Sequence, residues 1–182
     1  MPQNIELKVG CSLDELAAVR DRLARRPVPP LESFHQTDTY FGVPAGRFKL
    51  RVINAGDGGR SAELIQYQRP ETIGARVSTY RRIPVAPEAA VELELALSDA
   101  LGVLTTIRKT RSVAIWRSTR IHLDEVDDLG CFVELETVLS DDLTVEGGQA
   151  QLDDVVAWLG LAGLDSIAGP YSDLMLRKGQ HL

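Results

Sequence analysis

The chain has 182 residues, 44% of them hydrophobic and 25% charged, the profile of a globular domain with a full core. Its formal net charge of −6 argues against a nucleic-acid surface, which normally carries net positive charge. No apolar run approaches the roughly 18 residues a membrane helix needs, no leader-like segment opens the chain, and Cys11 and Cys131 form no spaced motif, so a reducing, cytoplasmic setting is expected.

In chain order, residues 3–9 alternate polar and apolar and predict a strand. Ser12 with Glu15 three positions on forms a capping box, and Leu13, Leu16, Val19 and Leu23 supply the apolar stripe of a helix running to about Arg25. Pro27, Pro29 and Pro30 stop it. Residues 33–42, rich in Thr, Tyr and Phe, and 47–53 predict two strands joined by the turn Val43-Pro44-Ala45-Gly46. A glycine-rich loop over 54–60 leads to strands at 61–69 and 75–83. Pro87 opens a helix over 87–101 that Gly102 closes. Strands are expected at 103–109, 111–118, 119–126 and 131–139, the last two joined by Asp127-Asp128-Leu129-Gly130, then a helix over 148–160 and a short terminal segment around Tyr171-Ser172-Asp173-Leu174. The count is about eight strands with three helices, and about eight antiparallel strands close naturally into a barrel. No repeat or linker divides residues 1–182, so a single domain is expected.

The charges alternate with strand period. Glu6 and Lys8 share one face, as do Arg47, Lys49 and Arg51, then Lys109 and Arg111, then Glu134 and Glu136. Paired carboxylates on one face repel unless a cation lies between them, and Mg²⁺ takes carboxylate oxygens while keeping positions for phosphates. Asp124, on the preceding strand, is placed to join Glu134 and Glu136. A solvated outer face is the commoner explanation for such acids, and spacing alone leaves both open. A row of like bases suits an anion, since Arg forks match phosphate oxygens. Cross-strand pairing with carboxylates explains it equally well. Arg69, Arg76 and Arg82 can extend the row. His122 has the parity of Asp124, Tyr40 and Tyr67 can cap a cavity or fill a core, and Glu92-Leu93-Glu94 repeats the acidic pattern in a helix, where i and i+2 diverge.

Taken together and in order, these segments resemble the CYTH superfamily, the triphosphate tunnel metalloenzymes. Asn4-Ile5-Glu6-Leu7-Lys8 stands where that family has Glu-x-Glu-x-Lys. The run from His35 to Phe41, Gly46 to Arg51, Lys109-x-Arg111, Ile121-His122-Leu123-Asp124, Gly130 to Glu136 and Tyr171 to Leu174 look like its later elements. The resemblance implies an α+β, mainly antiparallel fold: an eight-stranded closed β-barrel, or triphosphate tunnel, with flanking helices. It implies Mg²⁺ or Mn²⁺ held by Glu6, Asp124, Glu134 and Glu136, phosphates gripped by Lys8, Arg47, Lys49, Arg51, Arg69, Lys109 and Arg111, and catalytic roles for Glu6, Lys8 and Lys49. The expected activity is metal-dependent hydrolysis of a small-molecule triphosphate, inorganic or organic. Class IV adenylyl cyclase chemistry, toward which branch the pattern leans, and a non-catalytic nucleotide or polyphosphate sensor are the alternatives. No nucleic acid or membrane partner is expected, and a monomer or homodimer fits. Asn4 departs from the family pattern: an amide is a poorer metal ligand than a carboxylate, which bears on a second metal.

Overall fold

The computed structural model describes residues 4–29, 31–68 and 79–180. Its elements are β1 (Asn4–Cys11), α1 (Leu13–Ala24), β2 (Glu32–Phe41), β3 (Arg47–Ala55), β4 (Arg60–Gln68) and β5 (Thr79–Val85), then α2 (Ala90–Leu101), β6 (Val103–Trp116), β7 (Thr119–Val126), β8 (Gly130–Val138), α3 (Val145–Leu159) and α4 (Tyr171–Gly179). One eight-stranded sheet takes the order β1-β8-β7-β6-β2-β3-β4-β5, with every neighbouring pair antiparallel. The expected α+β barrel is therefore present. It closes by curling: side chains from β1 and from β4 line one central cavity, although among the described residues no ladder joins β1 to β5. The outer edge of β1 is partly covered, since Gly10 donates to the Asp165 carbonyl at 3.3 Å and Ile167 to the Lys8 carbonyl at 2.8 Å.

Strand alternation explains where the core lies. Odd residues of β1, β7 and β8 face outward under α1 and α3, where Ile5, Val9, Ile121, Leu123, Val133 and Leu135 pack with Leu16, Val19, Leu23, Leu152, Val155 and Leu159. On the other flank, Leu50 and Val52 of β3 with Phe41 and Ala62 meet Ala90 of α2. A third cluster is internal: Tyr40, Ile107, Val126 and Phe132 surround Tyr171 of α4. With apolar residues spent on the outer faces, even residues of β1, β2, β7 and β8 and odd residues of β3, β4 and β6 are left to line the interior.

The predicted capping box is formed: Ser12 Oγ accepts from the Glu15 amide at 3.2 Å, and Glu15 Oε2 accepts from the Ser12 amide at 2.7 Å. Three expectations are corrected. The strands expected at 103–109 and 111–118 are one uninterrupted β6, because Lys109, Thr110 and Arg111 keep strand alternation and no glycine or proline breaks it. Helix α3 starts at Val145 rather than 148; Thr144 caps it by accepting from Gly147 at 3.2 Å, which outweighs the low helix propensity of Gly147 and Gly148. The short terminal segment is a nine-residue helix. The beginning of the strand expected at 75–83, with Arg69 and Arg76, lies outside the described residues.

Candidate functional site

Glu6, Lys8, Asp38, Tyr40, Lys49 and Arg51 line a central cavity of about 220 Å³, together with Tyr67, Lys109, Arg111, Glu134, Glu136, Pro170 and Tyr171. Register brings the groups together. Glu6 stands opposite Glu136 and Lys8 opposite Glu134 across β1 and β8. His122 stands opposite Glu134 and Arg120 opposite Glu136 across β7 and β8. Asp38 faces Arg51 across β2 and β3, and Arg111 faces Asp124 across β6 and β7.

The bases are organised as two clamps of the same design. In the first, Asp38 accepts from Lys49 Nζ at 2.6 Å and from Arg51 Nε and Nη2 at 2.7 and 2.8 Å. In the second, Asp124 accepts from Lys109 Nζ at 3.0 Å and from Arg111 Nε and Nη2 at 2.6 and 2.5 Å. Each clamp is a Lys-x-Arg strand face gripping one aspartate on the next strand. Bidentate Arg–carboxylate geometry of this kind is among the stronger ion pairs. Burial alone would raise both carboxyls, but the adjacent cations outweigh it: Lys49 and Arg51 hold Asp38 far below the usual carboxylate range, and Lys109 and Arg111 hold Asp124 at about 2. Burial and the neighbouring Arg111 bring the Lys109 ammonium down to about 8, against the pull of Asp124 and Glu134. Burial also lowers Lys49, with Asp38 opposing.

Glu134 is the hub on the acidic side. It pairs with Lys8 at 3.1 Å, with Arg111 at 2.7 Å and with His122 Nδ1 at 3.5 Å. Burial would raise it; Lys8, His122 and Arg111 prevail and keep it well below its ordinary value. Ligand atoms of His122, Glu134 and Glu136 lie within 4.8 Å of one another. Next to them, Asn4 Nδ2 donates to Glu6 Oε1 at 3.0 Å. An oxygen-rich set with one imidazole suits a hard divalent cation, and the opposed carboxylates of Glu6 and Glu136 supply the charge to attract one.

Helix α4 reaches into this arrangement. The Tyr171 hydroxyl donates to Asp124 at 2.7 Å; its ring lies 4.2 Å from Lys8 Nζ and 4.9 Å from Lys109 Nζ, and packs on Phe132 at 4.9 Å between centroids. Burial, then Asp124 and Glu134, push the Tyr171 phenol well above its normal range. Lys8 Nζ also donates to the Gly169 carbonyl at 3.1 Å. Arg47, expected in the basic row, turns to α4 and donates twice to Asp173, at 2.6 and 2.8 Å. It borders the end of the tunnel rather than its centre.

Of the residues singled out from sequence, the structure therefore brings Glu6, Lys8, Lys49, Arg51, Lys109, Arg111, Glu134 and Glu136 to one cavity. Asp124 lies beneath its wall, with 0% exposure and its oxygens taken by Lys109, Arg111 and Tyr171. Arg82 pairs with Glu63 at 2.7 Å. Asp38 and Tyr171 were not assigned to a site by sequence reasoning; for Tyr40 and Tyr67, left between capping a cavity and filling a core, the structure places both in the cavity wall. Asp38 and Tyr40 carried a usable signal, since Gln36, Asp38 and Tyr40 alternate on β2 beside the base-rich β3. Glu94 of α2 accepts from Thr39 Oγ1 at 2.7 Å and so ties α2 to β2.

Residues 2–171 match the family model described as the CYTH domain. No curated protein matches the chain by sequence. Among solved structures, the PH1012 protein of Pyrococcus horikoshii OT3 is 23% identical, with a TM-score of 0.70 over 94% of this chain and 98% of that one. HpAC1 from Hippeastrum, described as an adenylyl cyclase candidate with a dominant triphosphatase activity, is 16% identical, with a TM-score of 0.67 over 98% and 96% of the two chains. The Mimivirus capping enzyme triphosphatase is 12% identical, with a TM-score of 0.54 over 87% and 90%. At these identities the likeness is one of fold.

Proposed function

This chain belongs to the CYTH domain family, and from that premise we propose that it is a divalent-metal-dependent hydrolase of a triphosphate held in the central cavity. The observation that carries the reading is the division of one cavity between carboxylates on β1 and β8, Glu6, Glu134 and Glu136, and bases on β3 and β6, Lys49, Arg51, Lys109 and Arg111, the two sets meeting where Lys8 and Arg111 both pair with Glu134. Such a division matches a metal–polyphosphate, whose cation and anionic chain need opposite surroundings.

Glu6, Glu134 and Glu136, with His122 beside them, would hold Mg²⁺ or Mn²⁺. The bound ion would neutralise phosphate oxygens and polarise the phosphorus under attack. Asp124 serves here as the brace that aims Lys109 and Arg111, since its oxygens are already occupied. Lys8, Lys49, Arg51, Lys109 and Arg111 hold the phosphate chain and stabilise charge on the departing phosphate; Arg69 is proposed to extend that grip, and Arg47 to act at the tunnel's end. Phosphoryl transfer depends mainly on such positioning and charge stabilisation.

Incubation with tripolyphosphate, ATP and thiamine triphosphate, with Mg²⁺ or Mn²⁺ and product identification, tests the proposal. Orthophosphate release supports it. Cyclic AMP would replace it with cyclase chemistry, and tight binding without product with a sensor role.

The low ammonium pKa of Lys109 gives a pH signature. A bound polyanion raises that pKa, so affinity is full below about pH 8 and falls as pH rises through that value. Calorimetry at pH 9 in buffers of different ionisation enthalpy should report proton uptake on tripolyphosphate binding, and Lys109→Arg should abolish it. Affinity flat from pH 7 to 9 would detach Lys109 from the ligand.

The amide of Asn4 bears on the metal end. It donates to Glu6 and so orients that carboxylate without adding charge. Asn4→Glu should tighten Mn²⁺ binding, read by titration calorimetry, because the added carboxylate stands beside Glu6. No gain would place residue 4 outside the cation's reach.

A further inference from the structure

Cys11 and Cys131 are distant in the chain and meet in the fold. Cys11 is the last residue of β1 and stands directly opposite Cys131 of β8. Both are free thiols. They lie on the outer face of the sheet, Cys131 within the buried cluster beneath α1 and α3 and Cys11 packed against it. Backbone directions set their spacing. Gly10 donates to the Asp165 carbonyl, and the Lys8 carbonyl accepts from Ile167. Even residues of β1 therefore turn their backbone groups away from β8, and odd residues, Cys11 included, turn theirs toward it. A hydrogen-bonded pair of this kind holds its Cα atoms about 5.5 Å apart, inside the roughly 4.4–6.8 Å that a disulfide spans. The Cβ atoms must close by about 1 Å. That adjustment falls at the end of the strand, next to the cap residue Ser12, rather than in the middle of the ladder.

The surroundings favour the oxidised pair. Burial, then Cys131 and Glu15, push the Cys11 thiol up to about 11. Burial and Glu125, which faces Cys131 from β7, raise the second thiol, with Arg20 of α1 opposing them. Each thiolate is thus disfavoured by apolar neighbours, by a carboxylate or by the other sulfur, whereas a neutral disulfide meets none of these costs. A sulfur of high thiol pKa is also a poor leaving group, so a bridge here resists attack by other thiols, and scarce thiolate makes its formation slow at neutral pH. The same β1–β8 ladder sets Glu6 opposite Glu136 and Lys8 opposite Glu134, so a bridge at its end fixes the register of those groups.

We propose that Cys11 and Cys131 are a dithiol that a low-molecular-weight disulfide converts into an intramolecular bridge, stapling β1 to β8. Cys11, the more exposed of the two, attacks as thiolate, expels one thiol from the oxidant and is left in a mixed disulfide. Cys131 then loses its proton and displaces the second thiol. Two electrons and two protons pass from the pair to the oxidant. Incubation of the wild-type protein with oxidised glutathione at pH 7, 8 and 9, followed by thiol assay and mass measurement on the denatured chain, tests this. Both thiols should disappear, no glutathione should remain attached at completion, and one cross-linked peptide should join the two cysteine segments. The rate should rise about tenfold per pH unit as thiolate accumulates. Against the same sample reduced with dithiothreitol, Tm should rise by about 5–15 °C, the scale for closing a loop of more than about 100 residues. Cys11→Ser and Cys131→Ser should show no such rise. Refolding from urea in oxidised glutathione buffer removes any limit of access. Two thiols still free after that refolding, glutathione retained on Cys11, or bridges between separate chains overturn the proposal, independently of any triphosphate assay.

Discussion

Asp38→Ala is expected to destabilise the fold by about 3–5 kcal/mol, the range for removing one partner of a buried charge pair. Asp38 is 5% exposed and Lys49 6%, and the substitution leaves two cations, Lys49 and Arg51, facing each other without their common anion. Urea denaturation at pH 7 measures the loss. Tripolyphosphate should restore much of it, because an anion that binds only the folded state stabilises that state by mass action and would take the place of the missing carboxylate. The same pair predicts acid sensitivity. Both Asp38 and Asp124 have folded pKa values below the unfolded value of about 4. Their stabilisation is complete above that pH and declines as pH falls, for Asp124 down to about 2. A variant within about 1 kcal/mol of wild type, where most surface changes fall, would mean that Asp38 does not hold the basic wall.

The second large effect separates two neighbouring carboxylates. Glu136 has one marked ion pair, to Arg120 at 3.6 Å, whereas Glu134 joins Lys8, Arg111 and His122. Glu136→Gln should weaken Mn²⁺ binding by on the order of tenfold or more through loss of ligand charge and abolish turnover, with stability changed by no more than about 0.5 kcal/mol. Glu134→Gln should lose metal and also about 3 kcal/mol of stability, because three basic partners lose a buried anion. Calorimetric Mn²⁺ titration and chemical denaturation on both variants distinguish the pair. Unchanged Mn²⁺ affinity in Glu136→Gln would remove that residue from the metal site.

How much of this was legible in the chain depends on how local each signal is. Glu6 and Lys8, Lys49 and Arg51, Lys109 and Arg111, and Glu134 and Glu136 could be assigned a shared face from alternation alone, since period two is a property of one strand. The clamps were legible only in part: alternation places Asp38 on one face of β2, but its pairing with Arg51, and that of Asp124 with Arg111, follows from inter-strand register. An acid among bases is otherwise as well explained by a solvated pair. Tyr171 was further out of reach: its place among Lys8, Lys109 and Asp124 depends on where the last helix docks, which no periodicity encodes. Arg47 shows the limit of parity. Its parity was right, but Asp173 draws its side chain toward α4.

The strand order also governs when the molecule can be assembled. Among the described residues, β1 pairs within the sheet with β8 alone, joining residues 4–11 to 131–138, and makes one further bridge, from Val9 to Ser166. On a ribosome the first strand therefore emerges long before its partner and waits while the β2–β5 meander forms from neighbours. Contacts this distant in sequence slow folding, because the entropy of closing the loop is lost before any pairing is gained. Glu6 meets Glu136 only when that closure happens, so a cation bound between the two carboxylates would be captured only once the barrel is complete.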